Sequence, residues 1–262
     1  MDPGSLGAAR SDSFRLDGKV ALVTGGSRGI GRAIAEQMAA SGAKVMIASR
    51  KAETLAAVAD AIDGEVLWHA AHAGDPAAAA ACVDDCVARL GGIDILVNNA
   101  ATNPYMGPTI DIDVARAEKT VQVNQMGVLY WSQAAWRASM RDSGGVIVNM
   151  ASIGGLAVEP AIGWYNVTKA AVIHLTRHLA SELGPGVRVN AIAPGLVKTD
   201  FARSLWEGAG DLVAARLPLK RLGEANDVAK LAVFLASDAS AWMTGSTVVV
   251  DGGALLGQHG IG

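Results

Sequence analysis

The chain has little of what marks a secreted, fibrous, nucleic-acid-binding or membrane-spanning protein. Only two of its 262 residues are cysteine, Cys82 and Cys86, too few for a disulfide framework. Spaced four apart in a predicted helix, they share one face and read as buried thiols, since a metal site needs four ligands. Their scarcity suits a reducing, cytoplasmic setting. No apolar run approaches the ~18 residues of a membrane span. The opening MDPGSLGAARSDS lacks the apolar centre of a signal peptide. Residues 1–13 are therefore read as a disordered tail or expression remnant, and 14–262 as a single domain. Charge of one sign is also missing. Lys+Arg 22 against Asp+Glu 25 leaves −3, without the basic excess that nucleic acid requires. Neither nucleic acid nor membrane is an expected partner.

Aromatic residues are few, at 5%, while 51% of the chain is hydrophobic. That apolar content is mostly Ala, Val, Ile and Leu, which suits parallel strands buried on both faces and the helices packed on them. The 31 glycines make up roughly 12% of the chain, against about 7% on average. They follow no G-X-Y period, so they imply many tight turns rather than collagen.

Strand and helix patterns alternate along the chain. Continuous apolar runs predict strands at Lys19–Thr24, Val45–Ala48, Glu65–Ala70, Ile93–Val97, Val146–Met150, Val187–Ile192 and Thr247–Val250. Helical spacing predicts helices at Ile30–Ser41, Ala52–Ile62, Ile112–Met140, Ile162–Leu183 and Ala225–Leu235. A further helix should start at Asp75-Pro76, an N-cap followed by proline at the first helical position, and run to about Leu90. Residues 196–218 read as irregular and mobile. Seven strands with crossover helices give an α/β fold, a single doubly wound Rossmann-like domain with a seven-stranded parallel sheet flanked by helices.

The first strand runs directly into Thr24-Gly25-Gly26-Ser27-Arg28-Gly29-Ile30-Gly31 and a helix. Glycines there let the backbone turn sharply, approach a pyrophosphate and pack helix on strand, while the helix N-terminus offers N–H groups to the anion. Gly25, Ser27, Arg28, Gly29, Ile30 and Gly31 are thus candidate cofactor contacts. The tip of the second strand chooses the cofactor, since an acid there would bind the ribose 2′-OH of NAD. This chain has Ala48-Ser49-Arg50-Lys51 instead. Ser49 can hydrogen-bond a 2′-phosphate and Arg50 can fork onto it, which predicts NADP(H).

Tyr165 and Lys169 stand i, i+4 and project from one helix face. Ser152 follows the C-terminal end of a strand, where open α/β sheets place ligands, and Asn124 lies in the preceding long helix. An ammonium near a phenol favours phenolate. Ser152 can then bind the substrate oxygen, and Asn124 can hold a water joining Lys169 to solvent. His174 and His178 share the i, i+4 spacing of a zinc pair, but no third ligand is evident and they read as interface or surface residues.

The loop TGGSRGIG, Asn98-Asn99-Ala100, Asn124, Ser152 thirteen positions before Tyr165, Lys169, Pro194-Gly195-Leu196-Val197-Lys198-Thr199 and the late TGSTVVVDGG together resemble the short-chain dehydrogenase/reductase family, over about residues 14–257. The resemblance implies a catalytic tetrad of Asn124, Ser152, Tyr165 and Lys169. It implies further cofactor contacts at Asn98, Ala100, Pro194, Gly195, Val197 and Thr199, with Asn98 bracing the central sheet and Val197 and Thr199 meeting the nicotinamide carboxamide. Where many members have an Asp contacting adenine, this chain has His72, so that contact stays open. The segments around Tyr105, Trp164 and Phe201 are most similar to the NADPH-dependent, tetrameric carbonyl reductase branch. This implies a homotetramer built through the two long helices. Met106, Ile153, Leu156, Trp164, Leu196, Phe201 and Trp206 are expected to wall an apolar substrate pocket. A small carbonyl or alcohol is the expected substrate. 3-Oxoacyl-[acyl-carrier-protein] reductase is the alternative, and a non-catalytic dinucleotide-binding module ranks behind both because Tyr165 and Lys169 are intact.

Overall fold

The strand Val20–Thr24 (β1) is apolar along its length because helices cover both of its faces, and all five residues are buried. The computed structural model describes residues 13–259; the tail read over residues 1–13 lies, but for Ser13, outside the described residues. The other strands are Lys44–Ser49 (β2), Val66–Ala70 (β3), Ile95–Asn98 (β4), Gly145–Met150 (β5), Val187–Pro194 (β6) and Thr247–Val250 (β7). They form one seven-stranded sheet in the order β3-β2-β1-β4-β5-β6-β7. Every neighbouring pair is parallel.

The crossovers are helical. Gly29–Ala40 (α1) and Ala52–Asp60 (α2) follow β1 and β2, and Pro76–Leu90 (α3) follows β3. The cap of α3 forms as expected, with Asp75 Oδ1 accepting from Ala77 N at 2.9 Å and Ala78 N at 3.3 Å. The next helix, over residues 114–143 (α4), is continuous but carries π turns at Gln122–Met126 and Trp136–Met140. Gly163–Leu183 (α5) and Ala225–Ala236 (α8) complete the main helices. The core lies in two layers. Ile34 and Met38 of α1, Leu55 of α2 and Val228 of α8 pack on one face of the sheet. Cys82 of α3, Trp131 of α4 and Leu179 of α5 pack on the other. Both cysteines are free and buried, and burial pushes the Cys86 thiol up to about 12.

Two departures from the periodicity stand out. Residues 196–218 are not wholly irregular, because they contain the short helices Arg203–Trp206 (α6) and Gly210–Arg216 (α7). Helices of one or two turns give no 3.6-residue pattern long enough to read. The π turns of α4 were equally invisible, since each is one local turn with no period of its own to read.

The sheet reverses its build direction between β1 and β4. The chain leaves β1 toward β2 on one side and returns to β4 on the other, so the loops above their C-terminal ends part and leave a crevice. Leu96 sits in the middle of β4 with no exposed surface. Leu96→Ala should therefore lower unfolding free energy by about 3 kcal/mol, read as a lower urea midpoint with an unchanged slope.

Candidate active site

The crevice is a cleft of about 450 Å³ at the C-terminal ends of β1, β2 and β4, within the usual range for a small-molecule site. Its floor is the glycine loop. Gly25 holds φ +68°, and a Cβ there would stand 2.8 Å from Asn99 Nδ2. A Cβ on Gly31 would meet Gly25 O at 2.3 Å and Asn99 Nδ2 at 2.4 Å. Asn99 clamps this turn by donating from Nδ2 to Thr24 O at 2.9 Å. Thr24 Oγ1 in turn accepts from Asn99 N at 2.9 Å and Ala100 N at 3.0 Å. Arg28 caps α1 without a side-chain hydrogen bond, and no acid sits in the first turn. The first N–H groups of α1 and its positive dipole end therefore face the cleft. Ser27, Arg28, Gly29, Ile30, Ser49, Arg50 and Ala100 all line it.

Other expected contacts fall elsewhere. Asn98 is buried below the cleft and donates to Ser132 Oγ at 3.1 Å and Asn149 Oδ1 at 2.9 Å. It braces the sheet, as the resemblance implied, and its neighbour Asn99 lines the cleft. Pro194 ends β6, Gly195 packs on Asp251, and the buried Val197 packs against Gly223. Of that segment, Thr199 faces the cleft with Asp200 and Phe201. Lys51, Thr54 and Lys119 also line it. Sequence reasoning missed Lys119 because only the packing of α4 beside the β3–α3 loop brings it there.

Tyr165 and Lys169 project into the cleft from α5, with Lys169 Nζ 5.5 Å from the Tyr165 ring centroid. Lys169 is 2% exposed and donates to Met150 O at 2.6 Å. Burial pushes its ammonium down to about 8. Ser152 caps the turn Ile153–Gly155 by accepting from Gly154 N at 3.2 Å, and its hydroxyl stands beside the Tyr165 phenol. Burial pushes that phenol above its ordinary range, and the negative charge of Glu159 adds to this. The Ser152 hydrogen bond works against both. In the chain by itself desolvation thus sets the direction of the shift at Tyr165.

Asn124 is fully buried in the first π turn of α4. Its Oδ1 accepts from Thr102 N at 2.8 Å, while Nδ2 donates to Thr102 O and Thr168 Oγ1, both at 3.0 Å. Both Nδ2 protons are thus committed to tying residues 100–103 to α5, and neither is left for a water beside Lys169. Phe201 leans on Tyr165 with ring centroids 6.0 Å apart. Met106, Leu156 and Phe201 are exposed, whereas Ile153 is buried. Trp164 is turned toward α4 and donates to Ala117 O at 3.1 Å, so it packs rather than walls. Trp206 donates to Thr199 O at 3.0 Å and fixes the loop. Trp242 is fully exposed. His174 and His178 are exposed with their Nε2 atoms 3.2 Å apart, and no cluster of three metal-ligating residues occurs among the described residues.

The groove has a glycine floor that a Cβ would fill and a cationic rim at Arg28, Arg50, Lys51 and Lys119. Its residues therefore fit a dinucleotide. Lys169 also has a consequence for stability. Its pKa of about 8 in the fold lies below the 10.5 of a free lysine, so the unfolded chain binds more protons between those values and stability rises with pH there. Lys169→Met removes this dependence. The urea midpoint of the unaltered protein should climb relative to Lys169→Met between pH 8 and pH 10, and parallel curves would contradict the buried ammonium.

The comparisons agree with this geometry. A family model described as Enoyl-(Acyl carrier protein) reductase matches residues 25–254. Dehydrogenase/reductase SDR family member 4 of Bos taurus is 38% identical over 257 residues, covering 96% of this chain and 91% of that protein. D-threitol dehydrogenase of Mycolicibacterium smegmatis is 38% identical over 245 residues, covering 92% and 94%. Among solved structures, a gluconate 5-dehydrogenase from Burkholderia cenocepacia, in complex with NADP and tartrate, superposes with a TM-score of 0.89 at 34% identity, covering 94% of this chain and 98% of that one. The chain belongs to the short-chain dehydrogenase/reductase family of NAD(P)-dependent oxidoreductases, which act on alcohol and carbonyl groups.

Proposed function

We propose that this protein is an NADP(H)-dependent oxidoreductase that interconverts a small, apolar ketone or aldehyde and its alcohol. The observation that carries this reading is the convergence of Ser152, Tyr165 and Lys169 at one end of the glycine-floored cleft, with Arg28 and Arg50 at the other. When bound, the nicotinamide supplies or accepts the hydride at the substrate carbon. The chain's own residues do the rest. Ser152 Oγ and the Tyr165 hydroxyl stand side by side, and each has one O–H to donate to the substrate oxygen. Tyr165, held neutral by burial, gives that oxygen its proton. Lys169 beside the ring steadies the negative phenol left behind. Phe201 and Met106 give the entrance an apolar wall and favour a hydrophobic substrate.

Arg28, Ser49 and Arg50 support preference for the 2′-phosphorylated cofactor, because the β2 tip offers cations where an NAD site offers a carboxylate. A homotetramer through the outer faces of α4 and α5, in a cytoplasmic setting, completes the reading; light scattering at the tetramer mass would support the assembly, and a monomer would overturn it. Tyr165→Phe should cut turnover by roughly the 10²–10⁴-fold of general acid–base catalysis, while NADPH fluorescence titration shows near-normal binding. Full turnover in that variant would refute the mechanism. Arg50→Ala should weaken NADPH about tenfold or more and NADH little. An equal loss for both would remove the cofactor assignment.

A further inference from the structure

The segment between Ser152 and α5 holds a polar pair that the reaction does not use. The turn Ile153–Gly155 lies directly on α5, since a Cβ on Gly155 would stand 2.8 Å from both Ala170 N and Lys169 C. A Cβ on Gly154 would overlap two oxygens at once, Asn166 Oδ1 and Glu159 Oε2. Those two oxygens therefore share one small space beside the turn. Asn166, one residue after Tyr165, is 7% exposed. Its Nδ2 donates to Glu159 O at 3.4 Å, which leaves Oδ1 to the side of the carboxyl. No described group donates to that Oδ1.

Two acceptors confined together out of water repel, and a buried carbonyl without a donor is costly. One proton removes both problems. Burial holds the Glu159 carboxyl above the usual carboxylate range, and a carboxylic acid there has an O–H to give Asn166 Oδ1. The titratable groups on its side of α5 are Tyr165, whose phenol feels the Glu159 charge, and Lys169 beside the Tyr165 ring. The segment also needs holding. Ala161 has φ +64°, a left-handed conformation that an L-residue keeps only where its surroundings impose it. Ser152 accepts from Gly154 N, so whatever fixes Gly154 fixes the Ser152 hydroxyl.

We propose that Glu159 and Asn166 share a proton and act as positioning residues, latching the Ser152 turn onto α5 beside Tyr165. The effect on turnover rests on the oxidoreductase reading above; the shared proton does not. A protonated Glu159 also keeps negative charge away from the phenol, which that charge would make a weaker acid.

The test has two arms. The first is a carbon-13 NMR titration of protein labelled at the glutamate carboxyl carbons, with the Glu159 resonance identified by its loss in Glu159→Gln. Its midpoint should lie above the usual value of about 4.3. It should fall in Asn166→Leu, which keeps the site dry but removes the acceptor of the proton. A midpoint that stays or rises in Asn166→Leu overturns the shared proton, because Asn166 would then hold the carboxylate or nothing. The second arm follows NADPH oxidation at pH 7 with a panel of aryl ketones, diketones and aldehydes. Glu159→Ala should lose roughly ten- to a hundredfold in kcat with little change in the KM for NADPH. Glu159→Gln, which keeps a donor for Asn166 Oδ1, should restore most of that loss. Full turnover in Glu159→Ala, or no recovery in Glu159→Gln, overturns the positioning role. A raised, Asn166-dependent midpoint in an unaltered protein that oxidises no NADPH supports the shared proton and overturns the oxidoreductase reading instead.

Discussion

Everything at this site depends on how β1 and β4 are held where the sheet changes direction. Thr24 and Asn99 do that work. The Thr24 hydroxyl accepts two backbone N–H groups from the end of β4, and the Asn99 amide donates back to the Thr24 carbonyl. Each neutral bond contributes about 1 kcal/mol, but together they fix the one place where neighbouring loops diverge. Gly25 and Gly31 press against Asn99 so closely that no Cβ fits. The shape of the phosphate-binding turn is therefore set across the sheet, by a residue about seventy positions away in sequence from the loop it shapes.

A second buried polar chain carries that registration to the catalytic helix. Asn98 Nδ2 donates to Asn149 Oδ1 at 2.9 Å, and Asn149 Nδ2 donates to Thr176 Oγ1 on α5 at 3.0 Å. Thr176 then donates to Val172 O at 2.8 Å. Asn124 ties the loop after β4 to Thr168 on the same helix. Buried polar groups are costly unless satisfied, so these links admit one register of α5 over β4 and β5. Tyr165 and Lys169 inherit their positions from it.

Electrostatics within the cleft follows from burial more than from pairing. Desolvation raises the Tyr165 phenol and lowers the Lys169 ammonium, pushing both toward their neutral forms. The opposite end of the cleft gathers cations from β2 and α4. One groove thus has a proton-donating end and an anion-accepting end.

The alternation of apolar runs and helical stripes was enough to place the strands, most plainly the five inner ones, because strands buried on both faces leave a continuous apolar run. The glycine loop, Ser152, Tyr165 and Lys169 were legible for a similar reason, since each lies in a short local pattern whose spacing carries its chemistry. The helices of residues 203–216 and the π turns of α4 escaped notice because one or two turns leave no period. The assignment of roles between Asn98 and Asn99, the commitment of Asn124 to Thr102, the inward turn of Trp164 and the arrival of Lys119 in the cleft were decided by packing alone. Each depends on which side chain a neighbouring element leaves room for, and residues far apart along the chain acquire that relation only when the sheet and its helices close on one another.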